Sequence, residues 1–231
     1  MNFHHEVEIE CISLSHFNQN ALTVGCLVFL DRNKDLFIVS LQSNQFINSS
    51  YPFYKIGTQV DSVSWNETSA TLAYITESKI IVYYYPAAPF IDVDLLADTK
   101  ESLELEGCEK GKILSFRGAQ LCIRKVNGTI LQTTLTEDPS PLFESAASQK
   151  WKESFRFCRF IDTTIMWAAL ACLTLSYDNL DMAEIALMEI KKVDKVDRIK
   201  HIRNIPNGEV SFIIATIQRD FVLKTFSLSL Y

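Results

Sequence analysis

The chain has 231 residues, of which 48% are hydrophobic and 11% aromatic, and these proportions are typical of a folded protein rather than a disordered one. Its formal net charge of −6 argues against nucleic acid as a partner, because phosphate binding needs a concentrated basic face. The longest apolar run, residues 165–173, is less than half the length of a membrane-spanning helix, so we expect no membrane insertion.

The first part of the chain is patterned as short apolar strands separated by polar turns. Two apolar runs flank the polar turn Asp31–Asp35, as in a hairpin. Pro86 and Pro89 are expected to end the second group of strands, since proline cannot donate to a strand ladder. The predicted strands of these two groups are 7–13, 26–30, 36–39, 60–65, 71–75 and 79–85.

A third group of strands is predicted between residues 112 and 135, at 113–116, 120–124 and 129–133. Asn127–Gly128 is a strong signal for a tight turn within it, because both residues tolerate positive φ. Each group spans about 40 to 45 residues, which is the period of propeller blades. We therefore predict about three blades of a β-propeller, although the Trp-Asp and Gly-His signatures are missing. An antiparallel sandwich is the alternative that the pattern leaves open.

Helical sequence follows a predicted boundary at 136–141, where two prolines stand among polar neighbours. Trp151, Phe155, Cys158 and Ile161 recur at i, i+4, i+7 and i+10, which places them on one side of a helix that needs a partner surface. Paired helices at this spacing resemble the tetratricopeptide class of α-solenoid. The predicted helices are roughly 145–160, 163–177, 181–191 and 194–204.

The order of motifs is similar to that of one known family. In the helical part the motifs are Lys150–Phe160, Ile165–Ala171, Ala183–Ala186 and Asp194–Ile199. This order resembles the junction segment of the family of intraflagellar transport protein 80, a WD-repeat subunit of ciliary transport complex B. Val63–Asn66 and the hairpin Arg124–Leu135 resemble the end of that family's second propeller. The resemblance covers residues 20–206.

The resemblance implies a β + α fold, in which a partial β-propeller of about three WD-like blades precedes short antiparallel helix pairs of an α-solenoid. Because the family has two propellers and a long helical tail, we expect this chain to represent only part of that plan. After Pro206 the sequence alternates in strand fashion, which we interpret as a truncated isoform, an alternative exon or an imperfect gene model. The implied segments are a partial second propeller at 1–136, a linker at 137–144, TPR-like helical repeats at 145–206 and a divergent tail at 207–231.

The function implied by the resemblance is that of a non-enzymatic scaffold. The chain would contact other subunits of intraflagellar transport complex B, and these protein–protein contacts would serve cilium assembly and intraciliary transport. The implied locations are the cilium, the ciliary base (basal body) and the cytoplasm. A subunit of a vesicle coat or another trafficking complex, with the same propeller-plus-solenoid plan, is the alternative function.

The sequence offers no constellation for catalysis or metal binding. The four histidines have no second ligand at i+3 or i+4, and neither a Gly-rich phosphate loop nor a G-x-S-x-G elbow occurs. We interpret the acidic stretch Glu101–Glu109 as a solvated loop or strand edge. We therefore expect no catalytic residue, no cofactor and no metal. A small hydrolase on a β-sandwich is the rival hypothesis, and activity screening would test it.

Six aromatic residues are the candidates for an interface or a joint: Trp151, Phe155, Trp167, Tyr83, Tyr84 and Tyr85. The tryptophans either seal the joint between propeller and solenoid or anchor a partner, since aromatic residues dominate interface hot spots. Among the three consecutive tyrosines, strand alternation predicts that at least one faces outward.

Two further expectations concern the whole chain. The six cysteines lack C-x-x-C spacing and stand among apolar neighbours, which predicts buried free thiols in a reducing compartment. Three blades without a closed ring leave open strand edges. We therefore expect the isolated chain to be poorly soluble or to associate with itself.

Overall fold

The computed structural model describes residues 5–15, 25–41, 53–77, 79–104, 107 and 109–203. The strands in these residues are β1 Ile9–Leu14, β2 Cys26–Asp31, β3 Leu36–Ser40, β4 Phe53–Gly57, β5 Val60–Trp65, β6 Leu72–Thr76, β7 Lys79–Tyr83, β8 Lys100–Glu104, β9 Lys112–Arg117, β10 Gln120–Arg124 and β11 Ile130–Thr134. The helices are α1 Leu95–Asp98, α2 Ser140–Ala147, α3 Trp151–Ile161, α4 Thr164–Ser176, α5 Leu180–Glu189 and α6 Val193–Arg203. In this described part, no helix has the length and apolarity to span a bilayer.

The strands form three antiparallel sheets, each a meander of consecutive strands. The first blade has the order β1-β2-β3-β4, the second β5-β6-β7-β8, and the third β9-β10-β11. The opening strands of the three blades are neighbours, since β1 contacts β5 and β5 contacts β9. Successive sheets that meet through their first strands are the arrangement of propeller blades around an axis. The predicted fold, a partial propeller followed by helices, is confirmed.

The second blade is the centre of the β part because both of its faces are covered. Successive residues of β6, from Leu72 to Ile75, are all buried. A strand covered on both sides carries a continuous apolar run, whereas a half-exposed strand alternates. Trp65, at the end of β5, donates its indole N–H to the carbonyl of Ser13 in the first blade at 3.2 Å. The first and second blades are thus joined by a directed bond as well as by packing.

The outer blades each present one face that the second blade does not cover. In the first blade, Val28 and Ile38 join the common core, whereas His5, Phe37 and Phe53 form a ring cluster on the opposite face. In the third blade, the core face carries four buried apolar side chains, and the opposite face is mostly polar but includes the exposed Ile130. These four residues are Ile113, Phe116, Leu121 and Ile123.

The helices pack around α4. Every residue of α4 from Met166 to Thr174 is buried, so this helix is covered on all sides. Helix α3 contacts α2 and α4, α5 packs on α4, and α6 packs on α5. Helix α4 also contacts α1, which lies between β7 and β8 of the second blade. The insertion between β7 and β8 is therefore where the helices meet the blades.

Several predicted boundaries are wrong. Pro86 and Pro89 end strand β7 but do not end the blade, since the chain returns as β8 and pairs along β7. Strands β4 and β8 and helix α1 were not predicted. The predicted first helix, 145–160, is two helices, because the backbone turns at Gln149 with a φ of +55°.

The division into domains stays a prediction. Helix α2 begins at Ser140, inside the predicted linker 137–144. The predicted tail, residues 207–231, lies outside the described residues, as do the histidines at 4 and 16.

The described cysteines are free, but they are not uniformly buried. Cys26, Cys158 and Cys172 are buried, and burial raises the pKa of the Cys26 and Cys158 thiols from 9.0 to about 12. Cys11 is exposed on β1, which contradicts the prediction for this residue, and Cys122 is partly exposed. The prediction failed at Cys11 because β1 is the outer strand of its sheet, in which Glu10, Cys11 and Ile12 are all exposed. Cys108 lies outside the described residues.

Candidate interaction site at the joint between blades and helices

Three consecutive tyrosines connect the second blade to three different neighbours. Tyr83 ends β7 and donates its hydroxyl to the carbonyl of Ile56 in the first blade at 3.1 Å. Tyr84 donates its hydroxyl to Glu101 Oε2 on β8 at 2.7 Å and lies 3.2 Å from the carbonyl of Glu137. The ring of Tyr85 stacks on Phe143 of α2, with centroids 6.4 Å apart.

All three tyrosines are buried, so the prediction that at least one faces outward is wrong. Alternation along a strand exposes every second residue only where one face of the sheet is open. Here the first blade covers one face of β7, and the helices and the β7–β8 insertion cover the chain that follows it. Burial accordingly raises the pKa of Tyr83, Tyr84 and Tyr85.

Glu101 is a buried carboxylate that holds the end of the third blade against the second. It accepts hydrogen bonds from the Tyr84 hydroxyl and from both the backbone N–H (3.2 Å) and the hydroxyl of Thr136. Thr136 follows β11 and precedes α2. A buried carboxylate is stable when donors surround it, and this one has three. The interpretation of Glu101 and Glu104 as strand edge is confirmed, because β8 is the outer strand of its blade. Glu101 itself is not solvated.

The three aromatic candidates of the helical part hold α3 to the helix pair behind it. Trp167 is buried in α4, where Phe155 of α3 meets its ring edge-on at 5.6 Å. The Trp167 indole N–H points to Asp162 Oδ1 at 3.4 Å, in the turn between the two helices. Trp151 lies edge-on to Tyr177 at 5.2 Å. These ring contacts lie within the helices, so the residues act here in helix packing.

An ionic cluster joins α6 and the turn before it to the β7–β8 insertion. Lys195 is 6% exposed and pairs with Asp92 and, at 3.2 Å, with Asp94. Lys192 pairs with Asp98 at 2.8 Å, and this hydrogen bond raises the pKa of Lys192. A lysine buried to this degree is stable only when it is paired.

Sequence reasoning missed this cluster. The stretch from Asp92 to Asp98 carries three aspartates, which are a complementary signal. A pairing across about a hundred residues is nevertheless not visible in one sequence.

One of the candidates also lines an open groove. Trp151 lies beside Tyr177, Leu180 and Asp181 in a groove of about 560 Å³, which Arg203 borders from the end of α6. Arg203 donates to Asp181 at 2.8 Å. The groove has an aromatic wall and exposed charges of both signs. Such a groove suits a protein segment, since aromatic side chains supply contact area and the charges set its orientation.

Two family models match the chain. Residues 1–137 match the model described as "IFT80 second beta-propeller", and residues 166–217 match "IFT80/172/WDR35/WDR19 TPR domain". The chain belongs to the intraflagellar transport protein 80 family. The first match ends just before α2, and the second begins within α4. Helix α3, with Trp151 and Phe155, therefore lies between the two matched ranges.

Curated relatives in this family include the intraflagellar transport protein 80 homologs of Mus musculus and Rattus norvegicus. The chain is 33% identical to the mouse protein and 30% identical to the rat protein, in each case over 184 residues. These residues are 79% of this chain but 23% of each relative. The chain thus spans about a quarter of the length of the curated relatives it matches.

The described residues hold no group of three or more His, Cys, Asp and Glu side chains placed to bind a metal ion. The clustered carboxylates, Asp92, Asp94 and Asp98, are engaged by lysines. The buried thiols have raised pKa values, which disfavours the nucleophilic thiolate. What the site can do chemically is hold surfaces together through aromatic packing and paired charges.

Proposed function

We propose that the chain acts as a non-enzymatic scaffold subunit of intraflagellar transport complex B. In this proposal its contacts with other subunits serve cilium assembly and transport within the cilium. The proposed locations are the cilium, the ciliary base and the cytoplasm. The observation that carries the proposal is the pair of family matches, a second propeller followed by the TPR domain shared with other intraflagellar transport proteins.

The structure supports this proposal through the kind of surface it provides. The groove beside Trp151 and the groove along the third blade are surfaces that protein partners fit. Several such contacts on one rigid body raise occupancy, because binding at one site raises the effective concentration at the next. The joint supplies the rigidity, since Lys195 and Tyr85 fix the helices to the second blade.

The test is affinity capture of the tagged chain from ciliated cells, followed by identification of the captured proteins. The proposal predicts that subunits of complex B are enriched over a tag-only control. A matched capture with a version ending at Pro206 measures the contribution of the last residues. Enrichment of vesicle-coat subunits in place of complex B subunits would contradict the ciliary assignment.

The groove beside Trp151 is tested by reversing one charge on its rim. Asp181→Lys changes an exposed side chain that lines the groove, whereas Glu189→Lys makes the same change at the other end of α5. If the groove receives a subunit, Asp181→Lys weakens the capture of that subunit and Glu189→Lys does not. Equal capture by the two variants would exclude this groove as the contact.

A further inference from the structure

The third blade carries an edge strand that no other described strand pairs. The first and second blades have four strands each, whereas the third has three and ends at β11. Strand β11 pairs with β10 on one side only. An exposed edge of this kind is a template for a further strand.

The register shows which backbone groups of β11 are available to pair with a further strand. Lys125 donates its N–H to the carbonyl of Thr129, and Leu135 donates to that of Ala119. Antiparallel pairs alternate between bonded and non-bonded, so residues 131 and 133 direct their backbone groups toward β10. Ile130, Gln132 and Thr134 therefore direct their N–H and C=O groups outward.

The two strands behind this edge, β10 and β9, carry cations on the uncovered face. Lys112, Arg124 and Ile130 lie in one row across the three strands, and Arg117 lies two rows away. The three cations are exposed, and within the described residues they form no ion pair. Between residues 109 and 135 the sequence has five Lys or Arg and one carboxylate, although the whole chain has a net charge of −6.

The same face has a concave surface. A groove of about 540 Å³ runs along it, lined by Arg117, Gln132 and Thr134 among others, and Glu67 of the second blade borders it. A strand added at β11 would lie about 5 Å from β11 and about 10 Å from β10. Arg124 on β10 and a glutamate on the added strand are together long enough to span that distance.

We propose that the edge of β11 binds an extended acidic peptide segment of a partner protein, which adds a fourth strand to the third blade. The backbone of Ile130, Gln132 and Thr134 supplies the hydrogen bonds. Arg124, with Lys112 and Arg117 behind it, selects acidic side chains. This is β-strand addition, in which main-chain bonds give affinity and side-chain contacts give specificity.

The proposal deepens the scaffold function by naming the chemistry of one partner segment, and it rests on that function. Its test uses purified components only. Failure of peptide binding would therefore leave the capture experiment unaffected, and failure of the capture experiment would leave peptide binding unaffected.

The probe is a fluorescein-labelled peptide of eight residues in which Glu and Val alternate, titrated with the full chain and followed by fluorescence anisotropy. Two comparison peptides separate the contribution of the acidic side chains from that of the backbone hydrogen bonds. One replaces each Glu by Lys, and the other keeps the sequence but carries N-methyl groups on alternate backbone nitrogens. The proposal predicts saturable binding of the Glu–Val peptide, and affinity at least about tenfold weaker for each comparison peptide.

Two substitutions in the chain test the same contacts from the other side. Gln132→Pro removes an outward N–H without touching the ladder to β10, and Gln132→Ala is its control. We expect Gln132→Pro to weaken binding about tenfold, and Gln132→Ala, which keeps the N–H, to weaken it by less than about threefold. Arg124→Gln should weaken binding about threefold, whereas the exposed Arg156→Gln on α3 should not.

The N-methylated peptide keeps the test decisive if Gln132→Pro fails to fold, because it is measured on the unaltered chain. Binding of the N-methylated or the Lys–Val peptide as tight as that of the Glu–Val peptide would overturn the proposal. Tighter binding of a single-stranded RNA or of vesicles containing phosphatidylserine, competing with the Glu–Val peptide, would overturn it as well.

Discussion

The first and third blades, which lie on either side of the second, differ in chemistry although they share a fold. The outer face of the first blade is aromatic: the His5 ring lies 5.1 Å from Phe29 and 4.9 Å from Phe37, with Phe53 beside them. The outer face of the third blade carries Lys112, Arg117 and Arg124. An apolar face gains free energy from any surface that excludes water, whereas a cationic face discriminates by charge. The chemistry of the first blade therefore suits association, and that of the third blade suits recognition by charge.

A third region, the joint on the second blade, differs from both ends because its tyrosines and Lys195 are buried. At the ends, Ile12 and Leu14 of the first blade and Ile130 of the third are more than half exposed. Substitutions at the joint should therefore change stability, and substitutions at the ends should change binding.

Replacing Trp167 by alanine should have the largest effect. The indole is buried in α4 against Phe155, so truncation leaves a cavity and lowers the free energy of unfolding by about 3 to 5 kcal/mol. Phe160→Ala on α3 is the control, because Phe160 is 85% exposed, and its effect should stay within about 0.5 kcal/mol. Urea denaturation followed by circular dichroism measures both. Similar values for the two variants would show that α3 is not packed on α4 as described.

Replacing Lys195 by methionine should cost about 3 kcal/mol, because Asp92 is left in a buried site without its counter-ion. Arg203→Met removes the pairs of the 44%-exposed Arg203 with Asp181 and Glu184 and should cost about 1 kcal/mol. The same denaturation experiment compares them. A Lys195→Met variant as stable as Arg203→Met would mean that the cluster does not fix the helices to the blades.

Stability should fall as the pH rises above about 9. The folded-state pKa of the Cys26 and Cys158 thiols is raised from 9.0 to about 12, so the unfolded chain loses these protons first. Below pH 9 the two buried thiols make their full contribution to the free energy of unfolding. Between pH 9 and 12 this contribution is lost, at about 1 kcal/mol per thiol for each pH unit. Urea midpoints at pH 8 and pH 10 test this. The Cys26→Ala and Cys158→Ala variants should show a smaller difference between the two pH values.

Introducing charge on the first blade should change association rather than stability. Ile12 and Leu14 are each 58% exposed on β1, next to the ring cluster. We predict that the unaltered chain self-associates in light scattering, and that Ile12→Lys with Leu14→Lys shifts it toward the monomer. The free energy of unfolding should change by less than about 0.5 kcal/mol. A monomeric unaltered chain would refute the predicted self-association.

The strands that are easiest to predict from sequence are those that carry a continuous run of apolar residues. Continuous apolar runs marked β2, β6 and β7, and Asn127–Gly128 marked the turn before β11, where Gly128 has a φ of +84°. Strand β8 escaped prediction because Lys100–Glu104 has the composition of a solvated loop. Its place in the blade comes from backbone pairing with β7, and backbone pairing leaves no trace in side-chain pattern.

The sequence predicted the aromatic residues of the candidate site but not its ion pairs. Tyr83, Tyr84 and Tyr85 were chosen as candidates because they are aromatic. They are buried by elements that are distant in the sequence. The pairing of Lys195 with Asp92 likewise depends on the fold that brings α6 to the β7–β8 insertion. Long-range contacts of this kind follow from tertiary structure and cannot be deduced from local periodicity.

The most direct test of the distinction between covered joint and open ends is hydrogen exchange. It compares amide exchange of the chain alone with that of the chain in a complex captured from ciliated cells. We predict slower exchange on complex formation in β1 and β11, at the ends of the arc, and unchanged exchange in β7 and α4. Protection that appears in β7 and α4 while β1 and β11 stay unchanged would contradict the account.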